Sequence, residues 1–167
     1  MAGVKDGQSV AHGGGRPESA PIDGVRVVEL GTVLTRSGLM LEAFRTDWPS
    51  VAISPRQVNW VQLAPAAVTD WHRHENQTDH LVAVEGNIKL ALWDDRPNSS
   101  TRGATQVVRM GIARPVMVIV PAGVFHALRN ESGVPAGYLN VTDQVFAADD
   151  PDNWRLSVGS NDAPDIL

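Results

Sequence analysis

Short segments in which apolar and polar residues alternate recur along the middle of the chain, separated by Gly, Pro, Asn and Asp. Alternation with a period of two, bounded by turn-forming residues, is typical of β-strands. Residues 38–45 fit a helix or a strand equally well, and 149–153 could cap one short helical turn. Many short strands in one chain predict an all-β sandwich or barrel. The predicted strands cover residues 25–30, 51–53, 57–63, 80–84, 88–93, 106–110, 116–120 and 138–141.

The two ends of the chain differ from this pattern. Residues 1–20 are rich in Gly, with Ser and Pro and almost no large apolar side chains, so they predict a disordered tail. His12 falls in this tail and is not a candidate site residue. The folded domain is expected over residues 21–156. Residues 157–167 are polar and predict a tail or a loosely packed cap.

Composition narrows the class of protein. A chain of 167 residues without cysteine is long enough for one domain with its own core, and it excludes disulfides and thiolate sites. The net charge of −5 and the lack of basic runs argue against a nucleic-acid partner. No apolar run is long enough to span a bilayer, so no membrane association is expected. With no signal peptide recognisable, a cytoplasmic setting is the default expectation.

Four of the five histidines fall in two short clusters. His72 and His74 project from the same face of a strand, because side chains alternate between faces. Together with the Asp79 carboxylate and with His126, which follows a Pro-x-Gly turn, these two imidazoles could bind a Zn, Fe, Mn or Ni ion. Asp79 and His80 are adjacent, so only one of them is expected to face the site.

The same residues are also compatible with a purely structural role. Histidines spaced His-x-His also occur as core residues whose ring nitrogens bond to the backbone, and the glycine turns could serve the fold alone. The tryptophans do not require a binding role. Trp71 is expected on the face opposite His72, in the core or a dimer interface, while Trp60, Trp93 and Trp154 are expected to be packing residues.

The two clusters together resemble the paired motifs of the cupin superfamily. The first motif, with Asp in place of the usual Glu, is matched by His72, His74, Asp79 and Gly86. The second is matched by Pro121, Gly123, His126 and Asn130. This resemblance implies a jelly-roll β-barrel with both clusters lining one pocket.

A further resemblance covers most of residues 22–156. Residues 22–29, 36–45, 57–59, 80–86, 95–99 and 150–156 are similar to segments of the dTDP-4-dehydrorhamnose 3,5-epimerase family. The run from His74 to Asp79 is more typical of a divergent, epimerase-like subgroup. The resemblance implies a metal-independent homodimer that epimerises 4-keto sugar nucleotides. The reaction removes a proton beside a ketone and returns one to the other face, which requires a base, an acid and a group that stabilises the enolate.

The resemblance also implies roles for individual residues. His72 falls on the family's catalytic base, Thr69 replaces an arginine that contacts the nucleotide, and His80 replaces a lysine. The family's acid, a tyrosine, aligns with Asn140, so Tyr138 on the same strand face becomes the candidate acid. His80 and His126 would polarise the carbonyl. The candidate substrate-binding residues are Arg36, Glu42, Gln57, Asn59 and Asn140.

Three functions are therefore compatible with the sequence. The first is a cofactor-free epimerase acting on a keto-sugar or sugar nucleotide through His72. The second is a metal-dependent isomerase or dioxygenase, in which His72, His74, His126 and Asp79 (or Gln77) hold a divalent ion. The third is a binding module for a sugar or another metabolite that has lost the chemistry. The first two compete for one atom, because a His72 nitrogen bound to metal cannot act as the free base.

Overall fold

The computed structural model describes residues 22–51 and 53–167. The expected N-terminal tail, with His12, therefore lies outside the described residues. The described residues contain twelve strands and no helix. The strands are β1 (Arg26–Glu29), β2 (Thr32–Thr35), β3 (Gly38–Leu41), β4 (Gln57–Leu63), β5 (Trp71–Arg73), β6 (Asp79–Glu85), β7 (Asn87–Trp93), β8 (Thr105–Gly111), β9 (Val116–Val120), β10 (Phe125–Asn130), β11 (Ala136–Thr142) and β12 (Trp154–Leu156).

Ten of these strands form two five-stranded antiparallel sheets. Sheet I has the order β1-β9-β6-β11-β4, and sheet II has the order β12-β5-β10-β7-β8. The hairpin of β2 and β3 forms a separate two-stranded sheet. Strands that follow each other in the sequence alternate between the two sheets at several points, as in a jelly-roll. The predicted all-β jelly-roll is therefore confirmed. No described helix is long and apolar enough to cross a membrane.

The main core lies between the facing sides of the two sheets. Leu81 and Ala83 of β6 face Leu90 and Leu92 of β7, and each is no more than 1% exposed. These positions alternate with residues on the outer faces, as the period-two pattern predicts. Along β6 the inward series begins with Asp79, and along β10 it begins with His126, so one end of the barrel is lined by polar groups.

The outer faces are also partly covered. Residues 163, 166 and 167 at the C-terminal end pack against Trp71, Ala91 and Ala127 on the outer side of sheet II. Trp71 is 1% exposed, on the face opposite His72, as expected. Phe44, Trp48 and other residues after β3 cover the outer side of sheet I.

Three local expectations differ from the structure. Residues 51 and 53 are outside any strand, and Val51 instead packs against the outer side of sheet I. The helical turn expected over 149–153 is absent, because Asp152 bonds to the backbone of another loop. Trp60 and Trp154 are 59% and 51% exposed rather than buried. Both lie on strands at the edges of their sheets, where side chains lack a neighbouring described strand on one side.

The glycines and the asparagine of the two motifs have structural roles. Gly86 has φ +67°, and a Cβ there would lie 2.7 Å from the Cβ of Ala136. Asn130 uses its amide group to donate to the carbonyls of Leu63, Ala64 and Val134. These contacts fasten the end of the barrel opposite the histidines, so part of each motif serves the fold rather than the site.

We predict that Gly86→Ala lowers the free energy of unfolding by about 2–4 kcal/mol, since it combines a left-handed backbone with steric overlap. Gly133→Ala is the matched control, because its Cβ would meet nothing within 4 Å. The control should change the stability by less than about 0.5 kcal/mol. Urea denaturation measures both; equal stabilities would contradict the prediction.

Candidate functional site

The polar end of the barrel brings three histidines together from two adjacent strands. His72 on β5 lies directly opposite His126 on β10, and their ring centroids are 3.9 Å apart. His74 follows the end of β5, with its ring centroid 5.8 Å from that of His72 and 5.9 Å from that of His126. The amide of Gly123 donates to the carbonyl of His74 at 2.6 Å. The Pro-x-Gly turn therefore holds the backbone of the first cluster.

The Asp79 carboxylate reaches this group from the opposite sheet. Its Oδ2 lies 3.3 Å from Nε2 of His74 and 3.3 Å from Nε2 of His126. Neither contact has hydrogen-bond geometry in the described structure, so Oδ2 and the His126 Nε2 are buried without a hydrogen-bond partner there. The other oxygen, Oδ1, accepts hydrogen bonds from the side-chain amides of Gln77 at 2.8 Å and Asn140 at 3.1 Å.

All three histidines point the same ring nitrogen away from the site. Nδ1 of His72 lies 3.4 Å from the Asp70 carbonyl, and Nδ1 of His126 lies 3.3 Å from its backbone partner, the carbonyl of residue 124. Nδ1 of His74 contacts the carbonyl of Asp152. Because a carbonyl only accepts, each Nδ1 carries the hydrogen in these contacts, and each Nε2 is directed to the site.

The charges of these groups differ. Burial, together with the neighbouring His126 ring, lowers the pKa of His72 well below 6.5, so His72 is neutral at neutral pH. Burial also opposes protonation of His74, but the Asp79 carboxylate outweighs it and raises the pKa of His74. Burial favours the neutral acid at Asp79, yet the rings of His126 and His74 hold its pKa well below the ordinary value. The site therefore contains a neutral imidazole beside a carboxylate that stays ionised.

Tyr138 lies on β11, on the same inward face as Asn140 and one pleat deeper in the barrel. It is 8% exposed, and its hydroxyl forms no hydrogen bond with the described residues. Burial, reinforced by the charge of Asp79, raises the pKa of Tyr138 to about 12. Its phenol therefore keeps its proton at neutral pH.

His80 is separated from the other three histidines. It is fully buried on the outer side of sheet I, where its ring lies against Phe44 with centroids 5.7 Å apart. Neither of its ring nitrogens has a hydrogen-bond partner within the described residues. The strand alternation sends Asp79 inward and His80 outward, so the catalytic position expected for His80 is corrected: the inward position belongs to Asp79.

The candidate substrate-binding residues fall into two groups. Asn59 is paired with Asn140 across β4 and β11, and the Gln57 side chain donates to that of Asn59 at 3.0 Å near the same end of the barrel. Arg36 is exposed in the turn between β2 and β3. Glu42 is exposed and forms an ion pair with Arg45. Within one chain, Arg36 and Glu42 form no hydrogen bond or ion pair with the described site residues.

Two residues contribute to the site in ways that the sequence did not reveal. The Asp152 carboxylate accepts hydrogen bonds from the amides of Glu75, Asn76 and Gln77, so it caps a loop rather than a helix. The Thr69 hydroxyl accepts a bond from the Leu128 amide at 2.9 Å, which ties β10 to the chain leading into β5. The short polar run before Trp154 is a signal for capping, but sequence spacing alone does not indicate its distant partner.

The same residues also fit a divalent metal. One ligand atom from each of His72, His74 and His126 can be chosen so that all lie within 4.8 Å of one another. Imidazole nitrogens suit Zn, Fe and Ni, and bonds from Nδ1 to backbone carbonyls are typical of metal-binding histidines. The unpartnered Oδ2 of Asp79 faces two of these rings and could provide a fourth ligand.

Two sequence relatives cover most of the chain. The probable low-salt glycan biosynthesis epimerase Agl13 of Haloferax volcanii is 29% identical over 136 residues, which is 81% of this chain and 87% of the relative. The spore coat polysaccharide biosynthesis protein SpsL of Bacillus subtilis is 30% identical over 135 residues, 81% of this chain and 89% of the relative. No family model matches the chain.

Solved structures agree with the fold. A dTDP sugar isomerase from Desulfovibrio desulfuricans G20 superimposes with a TM-score of 0.76 at 24% identity, covering 81% of this chain and 85% of that one. NovW, a 4-keto-6-deoxy sugar epimerase from Streptomyces spheroides, has a TM-score of 0.73 at 17% identity, covering 83% and 71%.

The sequence relatives and the barrel with its histidine pocket lead to the same assignment. The chain spans most of the length of both relatives, and its fold superimposes on cupins of the epimerase type. The expected resemblance is therefore confirmed. This chain belongs to the dTDP-4-dehydrorhamnose 3,5-epimerase family of cupins, as a divergent, epimerase-like member.

Proposed function

We propose that the protein is an isomerase that epimerises a 4-keto-6-deoxy sugar carried on a nucleotide, with His72 as the base. The epimerase class follows from the family and from the relatives, of which one is named a glycan biosynthesis epimerase. The observation that carries the assignment of His72 is its neutral ring, held in a pocket by a backbone contact at Nδ1 so that Nε2 is free.

In this mechanism Nε2 of His72 removes a proton from the carbon beside the ketone. The electron pair moves onto the ketone oxygen and forms an enolate. To polarise that oxygen, His126 must carry a proton on Nε2, because its Nδ1 hydrogen is used on the carbonyl of residue 124. His74, whose pKa is raised by Asp79, binds a proton more readily than a free imidazole at the same end of the barrel. A donor placed where negative charge develops is more effective in a site that excludes water.

The second proton transfer needs an acid on the other face of the sugar. Tyr138 suits this role, because its phenol stays protonated at neutral pH and its side chain points inward. We place Tyr138 as the acid in preference to Asn140, whose amide donates to Asp79 and has no proton to give to a carbanion. Asn59 and Gln57, near the mouth, are proposed to contact the sugar nucleotide.

Epimerases of this family typically use no cofactor. A metal-dependent reaction is the second candidate, favoured by the convergence of His72, His74 and His126 with Asp79. Bound there, a divalent ion would act as a Lewis acid on a carbonyl or enediolate oxygen. His72 would then be a ligand of the metal ion, so it could not also remove the proton from the substrate.

We also propose that the protein is a homodimer. The β2–β3 hairpin exposes apolar side chains, with Leu34 85% and Met40 48% exposed, and β4 is an open edge of sheet I with Val58 and Trp60 both 59% exposed. A hairpin from one copy against the β4 edge of the other would cover both surfaces reciprocally. In this assembly Arg36 and Glu42 would contact substrate in the partner's pocket.

The proposed epimerase activity predicts proton exchange beside the ketone. With 4-keto-6-deoxy nucleotide sugars in D₂O, the wild-type protein should incorporate deuterium beside the ketone, and His72→Asn should reduce the rate by about 10²-fold or more. The acidic limb of kcat/KM should lie below pH 6.5, since the base works only while His72 is neutral. His80→Leu is the control and should keep the activity, because His80 faces away from the pocket. Absence of exchange with every such sugar would rule out the proposed reaction.

The metal alternative predicts stoichiometric binding. Untagged protein would contain about one divalent ion per chain, and His74→Gln and His126→Gln would each lose it. Elemental analysis before and after treatment with a chelator measures this directly. Exchange activity that is unchanged after complete metal removal would exclude the metal mechanism and retain the His72 base.

The dimer predicts a change of mass on disrupting the apolar surfaces. Light scattering should give twice the chain mass for the wild type, and Leu34→Glu or Trp60→Glu should shift the protein to the monomer. Val134→Glu is the control, because Val134 is 60% exposed in the loop between β10 and β11. A monomeric wild type would overturn this assembly.

A further inference from the structure

We propose that Asp152 is a positioning residue for the site: it holds His74 and, through the loop of residues 75–77, the Asp79 carboxylate. This role rests on the proposed function only for its effect on turnover, since the arrangement it creates is measurable without substrate. Asp152 lies just before β12, about eighty residues along the chain from the groups it holds.

The Asp152 carboxylate binds the loop that follows His74. Oδ1 accepts a hydrogen bond from the Glu75 amide at 2.6 Å, and Oδ2 accepts bonds from the amides of Asn76 at 2.8 Å and Gln77 at 3.2 Å. Partial burial opposes ionisation, but these three donors outweigh it and lower the pKa of Asp152. Three consecutive amides directed at one carboxylate form a nest for an anion, which fixes the path of the loop.

The backbone of the same residue holds the histidine. The Asp152 carbonyl accepts the hydrogen of His74 Nδ1, which fixes the tautomer and the tilt of the ring. As a result, Nε2 of His74 faces Oδ2 of Asp79 at 3.3 Å. The carboxylate of Asp152 thus holds the loop of residues 75–77, its carbonyl holds the His74 ring, and the two are fixed relative to each other.

The loop carries a second connection to Asp79. Gln77, whose amide hydrogen is bound by Asp152, uses its own side chain to donate to Oδ1 of Asp79 at 2.8 Å. Oδ1 of Asp79 therefore accepts a hydrogen bond from Gln77, and Oδ2 faces the His74 ring, and the positions of both groups depend on Asp152. Loss of the Asp152 carboxylate should loosen Gln77, the partner of Oδ1.

The anchoring of the segment does not depend on this carboxylate. β12 pairs with β5, with Trp154 opposite Arg73 and Leu156 opposite Trp71. The Arg73 guanidinium also lies over the Trp154 ring at 5.4 Å. Removing the charge of Asp152 should therefore leave the strand and its carbonyl contact to His74 in place while the loop of residues 75–77 becomes less ordered.

The test compares Asp152→Asn with Asp150→Asn in the full-length protein. An asparagine cannot accept all three amide hydrogens, because one of its two polar atoms is a donor. Asp150, two residues earlier, is exposed and forms no hydrogen bond or ion pair with the described residues, so it controls for the change of charge. Long-range ¹H–¹⁵N correlation spectra at alkaline pH report which nitrogen of each neutral ring carries the proton. The His74 signals are assigned by their loss in His74→Gln.

The expected result has two parts. In the wild type and in Asp150→Asn, the amides of Glu75, Asn76 and Gln77 should be protected from hydrogen exchange, whereas Asp152→Asn should lose this protection. His74 should keep the Nδ1–H tautomer in all three proteins, because the Asp152 carbonyl is retained. The kcat for deuterium exchange should fall about 10-fold or more in Asp152→Asn with KM changed less than about twofold, as for loss of a residue that orients a group of the site.

Two outcomes would overturn the inference. One is unchanged protection of the amides of residues 75–77 in Asp152→Asn, whatever happens to turnover or melting temperature, because the carboxylate would then not hold the loop. The other is an equal change in Asp150→Asn, which would point to charge alone. If the wild type shows no exchange with any sugar tested, the proposed function fails, but the protection of these amides still decides the role of Asp152.

Discussion

Asp79 places an ionised carboxylate inside a protein barrel, and most of the site is arranged around that charge. An isolated buried carboxylate is strongly unfavourable, and it persists only where hydrogen bonds and opposite charge compensate for the lost water. Gln77 and Asn140 bond to one oxygen, and the rings of His74 and His126 face the other. The four partners come from three segments, so one charge sets the positions of the loop after β5 and of strands β10 and β11.

Because of this carboxylate, the pocket contains different charged groups from those that the family resemblance implies. The resemblance implies a lysine near the start of β6 and an arginine before the catalytic histidine. Here the inward position on β6 is Asp79, and Thr69 uses its hydroxyl to accept a backbone hydrogen bond instead of contacting a phosphate. Among the described residues that surround Asp79, positive charge at the centre can come from the histidines. In the proposed dimer, the exposed Arg36 on the β2–β3 hairpin would bring a cation to the nucleotide from the second copy.

The sequence predicted those features that depend on local periodicity. Alternation along a strand put His72 and His74 on one face and Trp71 on the other, and it required that Asp79 and His80 point apart. It could not say which of those two faces the pocket, because that depends on the pairing of β6 with β9 and β11. The exposure of Trp60 depends on β4 being an edge strand, and the partners of Asp152 lie across the fold. Such features follow from contacts between distant segments, which a local pattern does not contain.

Whether Nε2 of His72 binds a proton or a metal ion depends on the charges of the neighbouring histidines and of Asp79. Burial and the His126 ring, whose centroid lies 3.9 Å away, keep His72 neutral. A single carboxylate favours a single cation, and His74 is the ring whose pKa Asp79 raises. Without metal, the site therefore combines a neutral His72 with a His74 ring whose pKa is raised, the unequal pair that acid–base catalysis requires. A metal would require all three Nε2 atoms to be unprotonated and would remove that inequality. The distribution of protons among the three rings thus decides the chemistry of the pocket.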